Sequence, residues 1–311
     1  MSSPWSSLRV SPATRKKLLW VLPSAVAVLT LVVFAARIFR DSATGQAFLT
    51  DFPGQSELPA GAPTGFPAWL NFQHFLNAFF IVLIVRTGWL VRTTQRPAAY
   101  WMRKNTGLIR TKKAPTKISI HLWLHLSLDA LWTLNGVIFI VLLFITGQWM
   151  RLVPTTWAVF PNAVSSALQY ASLNWPLENG WVNYNSLQQL AYFTIVFIAA
   201  PLAILTGLRM SAIWPQPSST ASKVFPLELA RAIHFPVMLF FVLFVIMHVT
   251  LVLTTGALRN LNHMYATNSG ESWLGFGIFA GTLMLTVAAW ILAKPVFLQP
   301  LASLGGKVTR Q

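Results

Sequence analysis

HFPVMLFFVLFVIMH, residues 234–248, begins and ends in histidine and is apolar throughout its interior. The 14 steps between His234 and His248, at 100° each, fall about 40° short of four full helical turns, so both imidazoles leave the helix on the same side. At 1.5 Å per residue they stand about 21 Å apart along the axis, inside a hydrocarbon core roughly 30 Å thick. One helix thus carries a metal-ligating side chain near each face of a bilayer. Histidine is costly at that depth and usually functional, and neutral imidazole is a normal axial ligand of haem iron. Two packing histidines bonded to neighbouring helices form the competing reading of this helix alone.

Composition sets the class. A chain of 311 residues that is 55% hydrophobic and only 10% charged, with 14 Trp, has a surface made mainly for lipid. Stretches long enough to span occur at about 18–39, 69–91, 121–149, 188–209, 230–256 and 273–293, judged against the roughly 20 residues a helix needs. The expectation is an all-α membrane protein with six transmembrane helices and little chain left for a soluble domain. The first span follows Arg9, Arg15, Lys16 and Lys17. It is too long for a signal sequence and Arg37 and Arg40 come directly after it, so it is read as an uncleaved anchor. Absence of Cys excludes disulfides, iron-sulfur clusters and covalently attached haem, leaving His or Met to hold any redox centre.

Charge gives the orientation, because Lys and Arg are retained on the cytoplasmic side. Residues 92–117 contain eight basic residues and no acid. The N-terminus, this segment, the 209–231 connection and the tail after the last span together hold 18 of the 23 Lys and Arg residues. Both termini are therefore expected in the cytoplasm. The net charge of +16 has its explanation in retained topogenic charge and contact with anionic lipid, without any nucleic-acid motif. On the outer side, residues 41–68 are rich in Pro and Gly and read as an irregular loop. NAVSSALQYASL within the aromatic 152–186 segment reads as a short interfacial helix.

Partners for the two histidines lie at matching depths. His74 opens the second span on the side where His248 ends the fifth, and His125 lies early in the third span on the side where His234 begins the fifth. Four histidines on three helices make two bis-histidine sites, which raises haem well above packing. His121, one turn before His125, competes for the inner site. Arg86 lies near the inner pair's depth, where it meets a haem propionate or snorkels. Asp129 pairs with Arg86, carries a proton or makes a structural bond, and Arg231, three residues before His234, meets a propionate or lipid phosphate. Gly136 lies at the outer depth, where a missing side chain lets a porphyrin approach or helices pack closely. Thr87-Gly88, Thr146-Gly147, Thr206-Gly207 and Thr255-Gly256 recur towards the ends of the core helices and read as packing and termination. His263 reads as a solvated loop residue.

The chain contains QHFLNAFFIVLIVRTG, HLSLDALWTLNG followed by GQWMRLVP, YNSLQQLAYFTIVFIAAPLAILTGLRM and ARAIHFPVMLFFVLFVIMHVTLVLTTG. On these stretches, across roughly residues 70–258, it resembles the diheme membrane cytochrome b subunits of bacterial thiosulfate reductases, formate dehydrogenases and nickel-iron hydrogenases. The resemblance implies a four-helix diheme cytochrome b core at 69–258, with an anchor helix and outer loop at 1–68 and a C-terminal helix and tail at 259–311. It further implies two haem b groups, ligated by His74 with His248 and by His125 with His234. The match at Asn135-Gly136 favours His125 over His121. Arg86, Arg231 and Gly136 are the further cofactor-binding candidates. The resemblance also implies electron transfer between membrane quinone and a partner, here a molybdenum-dependent oxidoreductase subunit on the cytoplasmic face of a bacterial inner membrane, with no bond-making by this chain. The anchor helix departs from the family pattern and inverts the core. Two other classes remain: a self-sufficient haem oxidoreductase reducing a small acceptor, and a haem-free anchor or carrier.

Overall fold

The computed structural model describes residues 12–106, 114–176, 179–215 and 218–310, and side chains from residue 19 onward. Arg9, Arg110, Lys112, Lys113 and Glu178 lie outside the described residues, and the side chains of Arg15, Lys16 and Lys17 with them. In chain order the elements are α1 (Pro12–Asp41), α2 (Ala43–Asp51), α3 (Ala68–Thr93), β1 (Ala99–Arg103), β2 (Ile118–Ser119), α4 (Ile120–Ile145), α5 (Trp149–Leu152) and α6 (Val159–Ala171). There follow α7 (Ser186–Phe193), a π-helical turn (Thr194–Ala199), α8 (Ala200–Met210), α9 (Thr220–Val224), α10 (Leu227–Thr254), α11 (Ala257–Ala266), α12 (Trp273–Leu292), α13 (Pro295–Gly305) and β3 (Gly306–Arg310).

Six helical stretches are long and apolar enough to cross a membrane: Leu19–Asp41, Ala68–Thr93, Ile120–Ile145, Ser186–Met210, Leu227–Thr254 and Trp273–Leu292. They coincide with the six expected spans. Their outward faces carry large apolar side chains such as Leu131, Leu134, Val137, Leu243, Ile246 and Leu285, which in water would drive aggregation and in lipid are the required solvent contact. The fourth span is continuous but widened at Thr194–Ala199. Pro201 lacks the N–H that would bond the Phe197 carbonyl and its ring crowds that carbonyl, which accounts for a π turn just before it.

The chain forms two compact units. One comprises residues up to 57 with 154–178 and 184–190. Here the expected irregular loop is corrected in part, because α2 forms within 41–68: Ser42 caps it by accepting a hydrogen bond from the Gly45 N–H at 3.1 Å. The helix α6 appears where NAVSSALQYASL was read as helical. Ser166 Oγ donates to the Gly54 carbonyl at 2.8 Å and Asn162 Oδ1 accepts from the Gly54 N–H at 2.9 Å, so buried backbone that has no sheet or helix partner is satisfied by side chains.

The other unit holds the remaining residues. Within it α3 packs extensively on α4, and α8 on α10. The two helix pairs meet through rings, among them Trp132 edge-on to Phe241 at 6.0 Å. At one end β2, β1 and β3 form an antiparallel sheet in that order. It brings residues 99–103 against 306–310 and seals Ala99, Ile120, Leu298 and Ala302 beneath Trp101 and Trp123. Gly306 is required there, since a Cβ would fall 2.2 Å from Trp101 Nε1. The sheet places the described residues that flank the basic loop, 99–103 and 118–119, and residues 306–310 of the tail at one end of the core. At the opposite end Asn262 ties α11 to α12, accepting from Ser272 Oγ at 2.8 Å and from the Gly275 N–H at 3.3 Å.

Candidate functional site

The side-chain period of α10 puts His234 and His248 on one side, and each faces a histidine from a different helix. His248 meets His74 of α3 with ring centres 6.2 Å apart, and His234 meets His125 of α4 at 6.5 Å. Two metal–imidazole bonds of about 2 Å each, with the ring radius added on both sides, set two axial rings about 6 Å apart centre to centre. Both pairs fit that requirement. Among the described residues no cluster of three or more His, Cys, Asp or Glu could hold a bare metal ion. Two-ligand sites suit a metal whose other four ligands come from a macrocycle.

Around the His125–His234 pair the arrangement repeats itself. Thr87 Oγ1 of α3 lies 3.0 Å from His125 Nδ1, and Thr206 Oγ1 of α8 lies 2.8 Å from His234 Nδ1. Each hydroxyl already gives its proton to its own helix: Thr87 to Leu83 O at 2.8 Å or Ile84 O at 3.0 Å, Thr206 to Leu202 O at 2.6 Å or Ala203 O at 3.1 Å. The oxygen therefore accepts from the ring, Nδ1 carries the hydrogen, and Nε2 keeps its lone pair for a metal. The adjacent glycines make room. A Cβ on Gly88 would stand 3.1 Å from His125 Cε1, and one on Gly207 3.7 Å from His234 Cε1.

These two threonines are the functional residues that sequence reasoning missed. Of the reading as packing and helix termination, termination holds for Gly147 and Gly256, which adopt φ of +74° and +123° beside helix ends. Thr87-Gly88 and Thr206-Gly207 lie inside continuous helix, where the threonines are fully buried and only the packing half of the reading applies. The available signal was their depth, level with His125 and His234.

The His74–His248 pair is packed in rings instead. Phe244 stacks on His248 at 5.5 Å and 5°, Tyr192 stands edge-on to His248 at 5.9 Å, and Tyr265 of α11 stands edge-on to His74 at 5.8 Å. None of these was singled out from sequence. Gly136 faces open space, with nothing within 4 Å of a Cβ.

The remaining candidates fall as follows. His121 is buried, but His125 rather than His121 faces His234. Of the alternatives for Asp129, the pairing with Arg86 is not formed: Arg86 Nη1 donates to the Ala293 carbonyl at 2.9 Å and its guanidinium lies over Trp290, while Asp129 Oδ2 sits 3.6 Å from His125 Nε2. Arg231 is exposed at the start of α10. His263 is corrected from a solvated loop residue to a buried one. It sits in α11 between Phe66 and Trp181 with Nε2 3.3 Å from the Ser269 carbonyl, and burial holds its imidazole below the usual histidine range. Beside it Arg151 is fully buried, donating to the carbonyls of Gly65 and Gly180 and lying over Phe66, which fixes the chain entering α3.

No curated protein and no solved structure matches the chain. A family match does exist, over residues 65–266, about two thirds of the chain, and it is to prokaryotic cytochrome b561. That range starts just before α3 and ends with α11, so it contains both histidine pairs and both threonines. By that match, over more than half of its length, the chain belongs to the prokaryotic cytochrome b561 family of membrane haem b electron-transfer proteins.

Proposed function

We propose that the chain carries electrons between the membrane quinone pool and a partner oxidoreductase through two haem b groups, one ligated by His74 and His248, the other by His125 and His234. The observation that carries this reading is the pair of facing imidazoles at each depth, 6.2 and 6.5 Å apart. Bound haem supplies reversible one-electron transfer, and the protein supplies ligation, orientation and burial. Thr87 and Thr206 fix the ring hydrogens of one pair. Phe244, Tyr192 and Tyr265 wall the other pair with rings. Gly136 leaves room for a macrocycle beside the α4 backbone, and Arg231 offers a cation for a propionate at the start of α10. Arg86 takes the same role from beside the end of α12.

Quinone is assigned to the His74–His248 side. An apolar cleft of about 530 Å³ there is lined by Phe66, Pro67, Trp69 and Trp181, and Trp69 lies on α3 about one turn before His74. The partner is assigned to the sheet end, which presents Arg96, Arg103, Lys104, Lys117, Lys307 and Arg310. Resemblance to thiosulfate reductase and formate dehydrogenase subunits supports a molybdenum-dependent partner, and the charge bias supports a cytoplasmic location for that end and for both termini.

A soluble quinol analogue added to the purified chain tests the quinone assignment: the reduced haem band should develop without another protein. Haem that dithionite reduces and quinol does not would overturn it. Replacing Arg103 and Lys104 with Gln should slow haem turnover through a co-purified partner and make it less salt-sensitive, leaving quinol-linked reduction unchanged. Loss of the quinol reaction alone would reverse the two faces.

Orientation has its own measurement. With no native Cys, Asn105→Cys provides a single thiol in the 92–117 segment, and it should resist an impermeant thiol reagent in intact cells but react after lysis. Labelling in intact cells would invert the topology and move the partner to the other side.

A further inference from the structure

We propose that Thr87 and Thr206 are positioning residues that hold the haem of His125 and His234 at a lower potential than the haem of His74 and His248. The proposal rests on the ligand assignment above.

The two pairs have different hydrogen-bonding at the nitrogen that faces away from the metal. His125 and His234 each donate Nδ1–H to a fully buried threonine oxygen, at 3.0 and 2.8 Å. Those oxygens have no proton left to offer the ring, because each donates to a carbonyl of its own helix. With those protons on the helix carbonyls, the ring N–H is the donor in both bonds. A ligating imidazole that donates its other N–H becomes a more basic ligand, and a more basic axial ligand favours the oxidised metal. Both ligands of one site receive this push.

The other site has no counterpart. His74 Nδ1 is buried with no hydrogen-bond partner among the described residues, and the contacts of His248 are with rings. Their surroundings are the rings of Phe244, Tyr192 and Tyr265, which pack against the imidazoles. A half-buried carboxyl from Asp129 and the guanidinium of Arg86 also stand near the first site. Both stay unchanged when only a threonine is altered, as do the Ile84 and Ala203 carbonyls that also accept from these rings, so a hydroxyl-for-methyl exchange isolates the threonine contribution.

This ordering has a consequence for the direction of easy flow. Electrons entering at the His125–His234 side run downhill to the His74–His248 side, which suits quinone reduction there.

A potentiometric titration of the reduced haem band, on the full chain in detergent with haem content measured alongside, tests the proposal. The unaltered chain should titrate as two components. Thr87→Val with Thr206→Val, which keep shape and remove the hydroxyls, should shift the lower component upward and leave the upper one in place. Thr87→Ser with Thr206→Ser should restore the original value. If the double Val variant binds only one haem, the single Val variants take its place, each expected to move the lower component part of the way. Two haems with an unmoved lower component would overturn this proposal while leaving the ligand assignment intact. Haem content indifferent to His125 and His234 would instead overturn the assignment beneath it.

Discussion

His125→Ala is expected to remove one haem per chain and His248→Ala the other, whereas His121→Ala leaves both. The reason is geometric. His125 faces His234 at 6.5 Å with its Nδ1 held by Thr87, and His248 faces His74 at 6.2 Å. His121 is buried one turn away and the same helix cannot present both rings to one partner. Under the proposed ligation, loss of one imidazole would remove one of only two protein bonds to the metal. Pyridine haemochrome content against protein concentration reads the result, starting from the two haems usual for the family. A haem lost with His121, or retained in full without His125, would assign the ligand to the wrong turn of α4.

Gly88→Val should abolish or distort the same haem, and Gly207→Ala should be tolerated. At Gly88 even a Cβ would stand 3.1 Å from His125 Cε1, and the two further methyl groups of valine push into the imidazole. At Gly207 the corresponding distance to His234 Cε1 is 3.7 Å, ordinary van der Waals contact. Overpacking a filled site costs about 1–3 kcal/mol, and here that cost falls on a ring whose orientation the ligation depends on. Haem content and the position of the reduced band check it. A Gly88→Val protein with full haem and an unchanged spectrum would show that α3 yields at this position without disturbing His125.

Both predictions combine residues that a local pattern announces with residues that it hides. Six spans are legible because bilayer thickness fixes how many apolar residues a helix must have, a constraint that acts on local sequence alone. The histidine pairs are legible for a similar reason: a helix has a fixed period and rise, so His234 and His248 announce their common side, and the bilayer puts the depths of His74 and His125 on one scale. Residues 41–68 mislead because Pro and Gly in the later part of the segment hide a nine-residue helix, α2, capped by Ser42. His263 misleads because it lies between two spans, while the rings that bury it, Phe66 and Trp181, come from distant chain.

Sequence by itself thus determined the class, the spans and the four imidazoles that face in pairs, since each follows from a local period or from the surrounding lipid. Only the tertiary structure decided that Thr87 and Thr206 meet those imidazoles while Thr146 and Thr255 lie at helix ends, that Arg86 turns to the Ala293 carbonyl instead of Asp129, and that residues 99–103 and 306–310 form one sheet. Each of these depends on which helix faces lie against each other, and that choice is made by side-chain packing between segments far apart in the chain, which no local pattern records.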